Sequence, residues 1–118
     1  MKNEAYEALS KERKELQAKG DLPMWFTTMG WMMIKNKDYL HANRSLRETF
    51  EVMAATAARH LGKLGSEKQA YYQKRFFELL WDGHLGAATP VFNLGTPKGC
   101  PVSCAGSYVG DSVLDFYE

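Results

Sequence analysis

Beyond Gly83 the chain cannot continue as the helices that precede it, because Gly86, Pro90, Gly95, Pro97, Gly99, Pro101, Gly106 and Gly110 arrive every few residues. Proline lacks a backbone donor and clashes inside a helix, and glycine carries an entropic cost there. Helical periodicity is lost, and such spacing belongs to a loop that folds against other parts. The chain therefore divides into an all-α domain, 1–85, and an extended Gly/Pro-rich arm, 86–118.

The first part reads as four helices. Tyr6, Leu9, Arg13 and Leu16 share one face of a helix over 3–19, with Gly20 as its stop. Asp21 ahead of Leu22 and Pro23 fits an N-cap followed by a first-turn proline, which predicts a second, nearly all-apolar helix to Ile34, buried on most sides. Ser45-Leu46-Arg47-Glu48 is a capping box that starts a stripe of Leu46, Phe50, Met53, Ala54, Ala57 and Leu61, closed by Gly62. Ser66 is placed to cap the fourth helix, with Ala70, Gln73, Phe77, Leu80 and Trp81 on its face and Gly83 past its end. In the arm, 102–109 predicts one short strand, and Asp111 ahead of Ser-Val-Leu-Asp-Phe-Tyr predicts a capped helix. A lone strand needs neighbours for its N–H and C=O groups, so the arm calls for a partner.

Composition excludes several classes. Lys plus Arg number 15 against 14 Asp plus Glu, and a net charge of +1 gives no reason to expect nucleic acid. Two cysteines four positions apart cannot staple distant parts of a fold, which leaves the cytoplasm as the expected compartment. The apolar stretch 24–34 is broken by Thr27, Thr28 and Gly30 and is too short to span a bilayer. A chain of 118 residues is one domain's worth, below the roughly 200 residues of a closed α/β barrel.

Cys104, between Ser103 and Ala105, offers a thiol that is a nucleophile or electron donor where its thiolate is accessible, although a buried inert cysteine is the commoner outcome. Thr89 precedes Pro90, and a threonine hydroxyl beside backbone N–H groups suits a phosphate oxygen; an ordinary turn is the plainer reading. Cys100 adds a Cys-x3-Cys pair. A zinc site needs about four ligands, and His41, His60 and His84 stand at no recognisable metal spacing, so no metal is expected. Trp25, Trp31, Trp81, Tyr71 and Tyr72 are assigned to packing.

Taken in order, Ala88-Thr89-Pro90, Gly95-Thr96-Pro97, Val102-Ser103-Cys104 and Asp111-Ser112 resemble the start of the catalytic barrel in the large subunit of aerobic, class I ribonucleotide reductases. Trp25-Phe26-Thr27-Thr28-Met29-Gly30-Trp31 is similar to a run in the all-α segment that leads into that barrel. The resemblance implies a mainly α fold whose arm belongs to a partner-completed α/β barrel. It implies that Cys104 is one of two thiols oxidised to a disulfide as the ribose 2'-hydroxyl leaves, that Thr89 and Ser103 contact the diphosphate and ribose side of the substrate, and that Asp111 contacts the nucleotide effector. The other redox cysteine, the radical cysteine and the family's glutamate and asparagine have no counterpart among these residues, so the chain is not expected to be active alone. Cys100 departs from the family pattern.

The partners implied are the remaining large-subunit polypeptide with the radical cysteine, a small radical-generating subunit that carries the metal, and thioredoxin or glutaredoxin as thiol reductant. The chain itself is expected to bind no cofactor. It reads as one piece of a split large subunit, of a kind that suits a phage, with an expressed fragment or a decayed gene as the alternatives. The alternative from another class is a helical assembly module or remnant that docks by adding a strand to a partner's sheet edge, with Cys104 inert.

Overall fold

The computed structural model describes residues 2–97, 102, 104, 106, 108 and 110–114. It is mainly helical, with α1 (Lys2–Lys19), α2 (Thr28–Asn36), α3 (Leu46–Arg59), α4 (Ser66–Trp81) and a single-turn α5 (Thr89–Phe92). Short 3₁₀ turns, His41–Asn43 and Gly62–Leu64, lie before and after α3.

Of the three predicted glycine stops, Gly20 and Gly83 close their helices, whereas α3 already ends at Arg59 with His60 as its cap, and Gly62 opens the 3₁₀ turn that follows. At the end of α1 the Asp21 N–H donates to the Leu16 carbonyl (3.0 Å) and the Gly20 N–H to Gln17 (3.2 Å). At the end of α4 the His84 N–H reaches Leu79 (3.0 Å) and the Gly83 N–H reaches Leu80 (3.3 Å). Both are Schellman closures, which satisfy carbonyls that a helix end leaves orphaned. The Ser45 capping box also forms, with the Glu48 N–H donating to Ser45 Oγ (3.1 Å) and the Ser45 N–H donating to Glu48 Oε2 (3.3 Å).

The second helix starts six residues after Leu22, not at it. Its N-cap is Thr27, whose Oγ1 accepts from the Gly30 N–H (3.0 Å), rather than Asp21. The reason lies in α1: Gln17 Nε2 donates to the carbonyls of Pro23 (2.9 Å), Met24 (3.2 Å) and Phe26 (3.2 Å), which holds the connection in an irregular path. Arg13 strengthens this, with Nε on Thr28 Oγ1 (3.0 Å) and a second nitrogen on the Phe26 carbonyl (3.3 Å). Leu22 and Pro23 are pinned by full burial. Nor is α2 buried on most sides: Thr28, Trp31 and Ile34 face inward, whereas Met29 and Met33 are exposed. Ser66 is likewise the first helical residue and not the cap, because the Gln69 N–H donates to the Gly65 carbonyl (3.0 Å).

Leu22, Phe26, Trp31, Ile34, Leu46, Phe50, Met53, Leu80 and Phe92 form one core. Burial of each large apolar side chain contributes roughly 1.5–3 kcal/mol. On α3 the buried alanines are Ala54, as the stripe predicts, and Ala58, with Ala57 half-buried. Arg47 joins three elements: its guanidinium lies over the rings of Phe77 (5.6 Å) and Trp81 (5.2 Å) on α4 and donates to the Gly20 carbonyl (3.1 Å) at the end of α1. Trp31 takes the packing role expected of it; Tyr71 and Tyr72 are exposed on α4, where their rings meet edge to face at 5.3 Å.

Of the expected strand, only residues 102, 104, 106 and 108 are described, and these show no strand. At the start of the expected last helix, residues 111–113 bend and the Leu114 N–H donates to Ser112 Oγ (3.2 Å). Among the described residues no helix is long and apolar enough to cross a membrane.

Candidate functional site

The first Thr-Pro pair forms a turn of helix. Ala88 is extended, Thr89 and Pro90 open α5, and the N–H groups of Val91 (3.0 Å) and Phe92 (3.3 Å) both return to the Ala88 carbonyl. Proline has no N–H, so the backbone donors that follow Thr89 are absent or already used. What Thr89 presents is its side-chain hydroxyl, on an exposed residue.

That hydroxyl is held from the far side of the chain. Phe92 is buried and meets Phe50 at 6.4 Å between ring centroids, which anchors α5 on α3. The Tyr39 ring stacks on Phe92, with centroids 4.8 Å apart and planes at 25°. The Tyr39 hydroxyl then lies 3.0 Å from Thr89 Oγ1. Tyr39 reaches this place because α2 ends in another Schellman closure: the Asp38 N–H donates to Lys35 (3.3 Å) and the Tyr39 N–H to Ile34 (3.3 Å), with Asp38 in the left-handed region at φ +51°. Aspartate tolerates that conformation better than most residues.

The second Thr-Pro pair is used internally, since Thr96 Oγ1 donates to the Asn93 carbonyl (2.8 Å). Gly95, at φ +73°, brings the backbone against α3 so closely that a Cβ there would lie 2.8 Å from Val52 Cγ1 and would also overlap Thr56 Oγ1.

Cys104 and Asp111 are both exposed. Ser103 and Cys100 lie outside the described residues. Thr89 is thus brought together with Tyr39, a residue the sequence reading passes over. Its signal was weak: an aromatic after a Lys-Asp pair at a helix end, with its partner on a distant segment.

Cavities between the helices involve other residues. One of about 430 Å³ lies between α3 and α4, lined by Glu51, Ala54, Ala70, Gln73, Lys74 and Phe77. Among the described residues no three His, Cys, Asp or Glu side chains are grouped to hold a metal ion. Comparison of the chain with protein families, with curated proteins and with solved structures finds no match in any of the three.

Proposed function

We propose that this chain supplies the helical lead-in and the first barrel segment of a class I ribonucleotide reductase large subunit, and that it acts in the reduction of ribonucleotides to deoxyribonucleotides once assembled with the polypeptide carrying the rest of the barrel. The observation that carries the reading is the ordered set Thr89-Pro90, Thr96-Pro97, Val102-Ser103-Cys104 and Asp111-Ser112, placed after a helical region. The exposure of Thr89 and Cys104 supports it, because a hydroxyl and a thiol must be reachable to meet a substrate.

In this reading Cys104 and a second cysteine on the remaining polypeptide each give one electron and one proton. The ribose C2'–O bond breaks, the oxygen leaves as water, a hydrogen replaces it at C2', and the two sulfurs join as a disulfide. An external dithiol then restores both thiols for the next turnover. Thr89 and Ser103 hold the diphosphate and ribose side of the nucleotide, and Asp111 contributes to the effector site. The small radical-generating subunit and its metal start the reaction from outside this chain.

The second reading, an assembly module that docks by strand addition with Cys104 inert, is favoured by a different observation. Val102, Tyr108, Val113 and Leu114 are all exposed on the arm, and unpartnered apolar side chains there suit an interface.

The test purifies the tagged chain with its bound polypeptides from its host and assays ribonucleotide reduction with a dithiol present. The reductase reading expects a co-purifying barrel polypeptide, turnover by the complex, and loss of multiple turnover in Cys104→Ser with the complex intact. Turnover that is indifferent to Cys104, or a complex without reductase activity, leaves the assembly module.

A further inference from the structure

We infer that Tyr39 is a positioning residue for the nucleotide diphosphate, acting through Thr89; this rests on the reductase reading above. Thr89 Oγ1 sits on an exposed residue, and a threonine hydroxyl so placed ordinarily rotates among staggered wells. Here the Tyr39 hydroxyl is 3.0 Å from it. Either hydroxyl can donate across this contact; with the more acidic phenol as the donor, Thr89 Oγ1 accepts. That leaves the Thr89 proton as the one to be directed at a phosphate oxygen.

The arrangement is anchored at both ends. The Tyr39 ring is fixed by its stack on Phe92 at 4.8 Å, and Phe92 is itself buried against Phe50. Thr89 belongs to the same helical turn as Phe92. The two hydroxyls therefore have their separation set by the core and not by flexible loop. A hydroxyl already oriented before the ligand arrives loses less freedom on binding. Thr89 is assigned to the diphosphate and ribose side, and with its proton aimed at a phosphate oxygen the effect is read on the diphosphate.

The experiment uses the assembled complex with Tyr39→Phe, which keeps the ring on Phe92 and deletes only the hydroxyl, with Thr89→Ala, and with the double variant. Competitive inhibition constants are measured for cytidine 5'-diphosphate and for cytidine. Tyr39→Phe is expected to weaken the diphosphate about five-fold, as for loss of one neutral hydrogen bond, and to leave cytidine unchanged. In the Thr89→Ala background the same change is expected to have no further effect. Diphosphate binding equal to the unsubstituted complex, equal weakening of diphosphate and cytidine, or full additivity with Thr89→Ala would overturn the inference while reductase activity stands. An unsubstituted complex that neither binds nor reduces the diphosphate overturns the reductase reading, and this inference with it.

Discussion

The indole N–H of Trp25 donates to the backbone carbonyl of Trp81 at 2.6 Å, linking residues 56 apart in sequence. The acceptor is one of the carbonyls that the last turn of α4 leaves without a partner. Trp25 thus ties the connection between α1 and α2 to the far end of α4. The same ring lies against the turn that follows: a Cβ on Gly83 would stand 3.1 Å from Trp25 Cε2, at a backbone φ of +78°.

Gly83→Ala is therefore expected to destabilise the chain through both strain and contact, by more than about 1 kcal/mol. Trp25→Phe removes the hydrogen bond and keeps much of the ring, and is expected to cost about 1 kcal/mol. Urea unfolding monitored by circular dichroism measures both. Because the two positions touch, the double variant should fall short of the sum, and strict additivity would show that the Trp25 ring does not support the turn.

Capping gives a paired prediction, since two serines that look alike in sequence differ in structure. Ser45 accepts from the Glu48 N–H, whereas the Ser66 side chain caps nothing and the turn before it is closed by the Gly65 carbonyl. Ser45→Ala is expected to lower stability by about 1 kcal/mol. Ser66→Ala should stay within about 0.5 kcal/mol of the parent. Equal losses at the two positions would contradict the assignment of Gly65 as the cap.

Such local signals explain what was legible in the sequence. The capping box at Ser45 and the stops at Gly20 and Gly83 depend on residues within a few positions of one another, so the pattern alone carries them. The start of α2 does not: Asp21 has the chemistry of a cap, but Gln17 and Arg13 take the carbonyls that a helix there would need, and that competition arises from α1 packing alongside. The exposure of Met29 and Met33 is a matter of which neighbours are present, which an apolar run cannot specify. At the candidate site the Thr-Pro pair marks Thr89 locally, whereas no local pattern marks Tyr39, which meets Thr89 across 50 residues.

The arm's attachment to α3 depends on Gly95, where the backbone meets Val52 and Thr56. Gly95→Ala introduces a methyl group into occupied space and a side chain at positive φ, and is expected to cost about 1–3 kcal/mol. The loss should be local first, with α5 lifting from the core. Hydrogen exchange at the Val91 and Phe92 amides should accelerate more than exchange in α3. Uniform acceleration across α3 and α5 would instead mean that the arm and the helices open together.

The ion pair between α1 and α2 sets a pH dependence. Lys35 Nζ lies 2.9 Å from Glu12 Oε2, and the Trp31 indole N–H donates to the same oxygen at 3.2 Å. The hydrogen bond from Lys35, joined by that from Trp31, holds the Glu12 carboxyl below its ordinary value, against the opposing effect of burial. A carboxyl that is more acidic in the folded chain than in the unfolded one binds its proton preferentially when unfolded, so protonation drains stability. The contribution is full above the unfolded glutamate value of about 4.3, and is lost as pH falls through the lowered folded value. Both side chains are substantially exposed, so the size is modest and salt-sensitive. Glu12→Gln keeps an oxygen for the Trp31 N–H and removes the titration. The stability difference between parent and variant should be constant from pH 6 to 7, shrink as pH is lowered past about 4.3, and shrink also at 1 M salt at neutral pH. A difference that stays level throughout acid titration would show that Glu12 gains nothing from Lys35 in the folded chain.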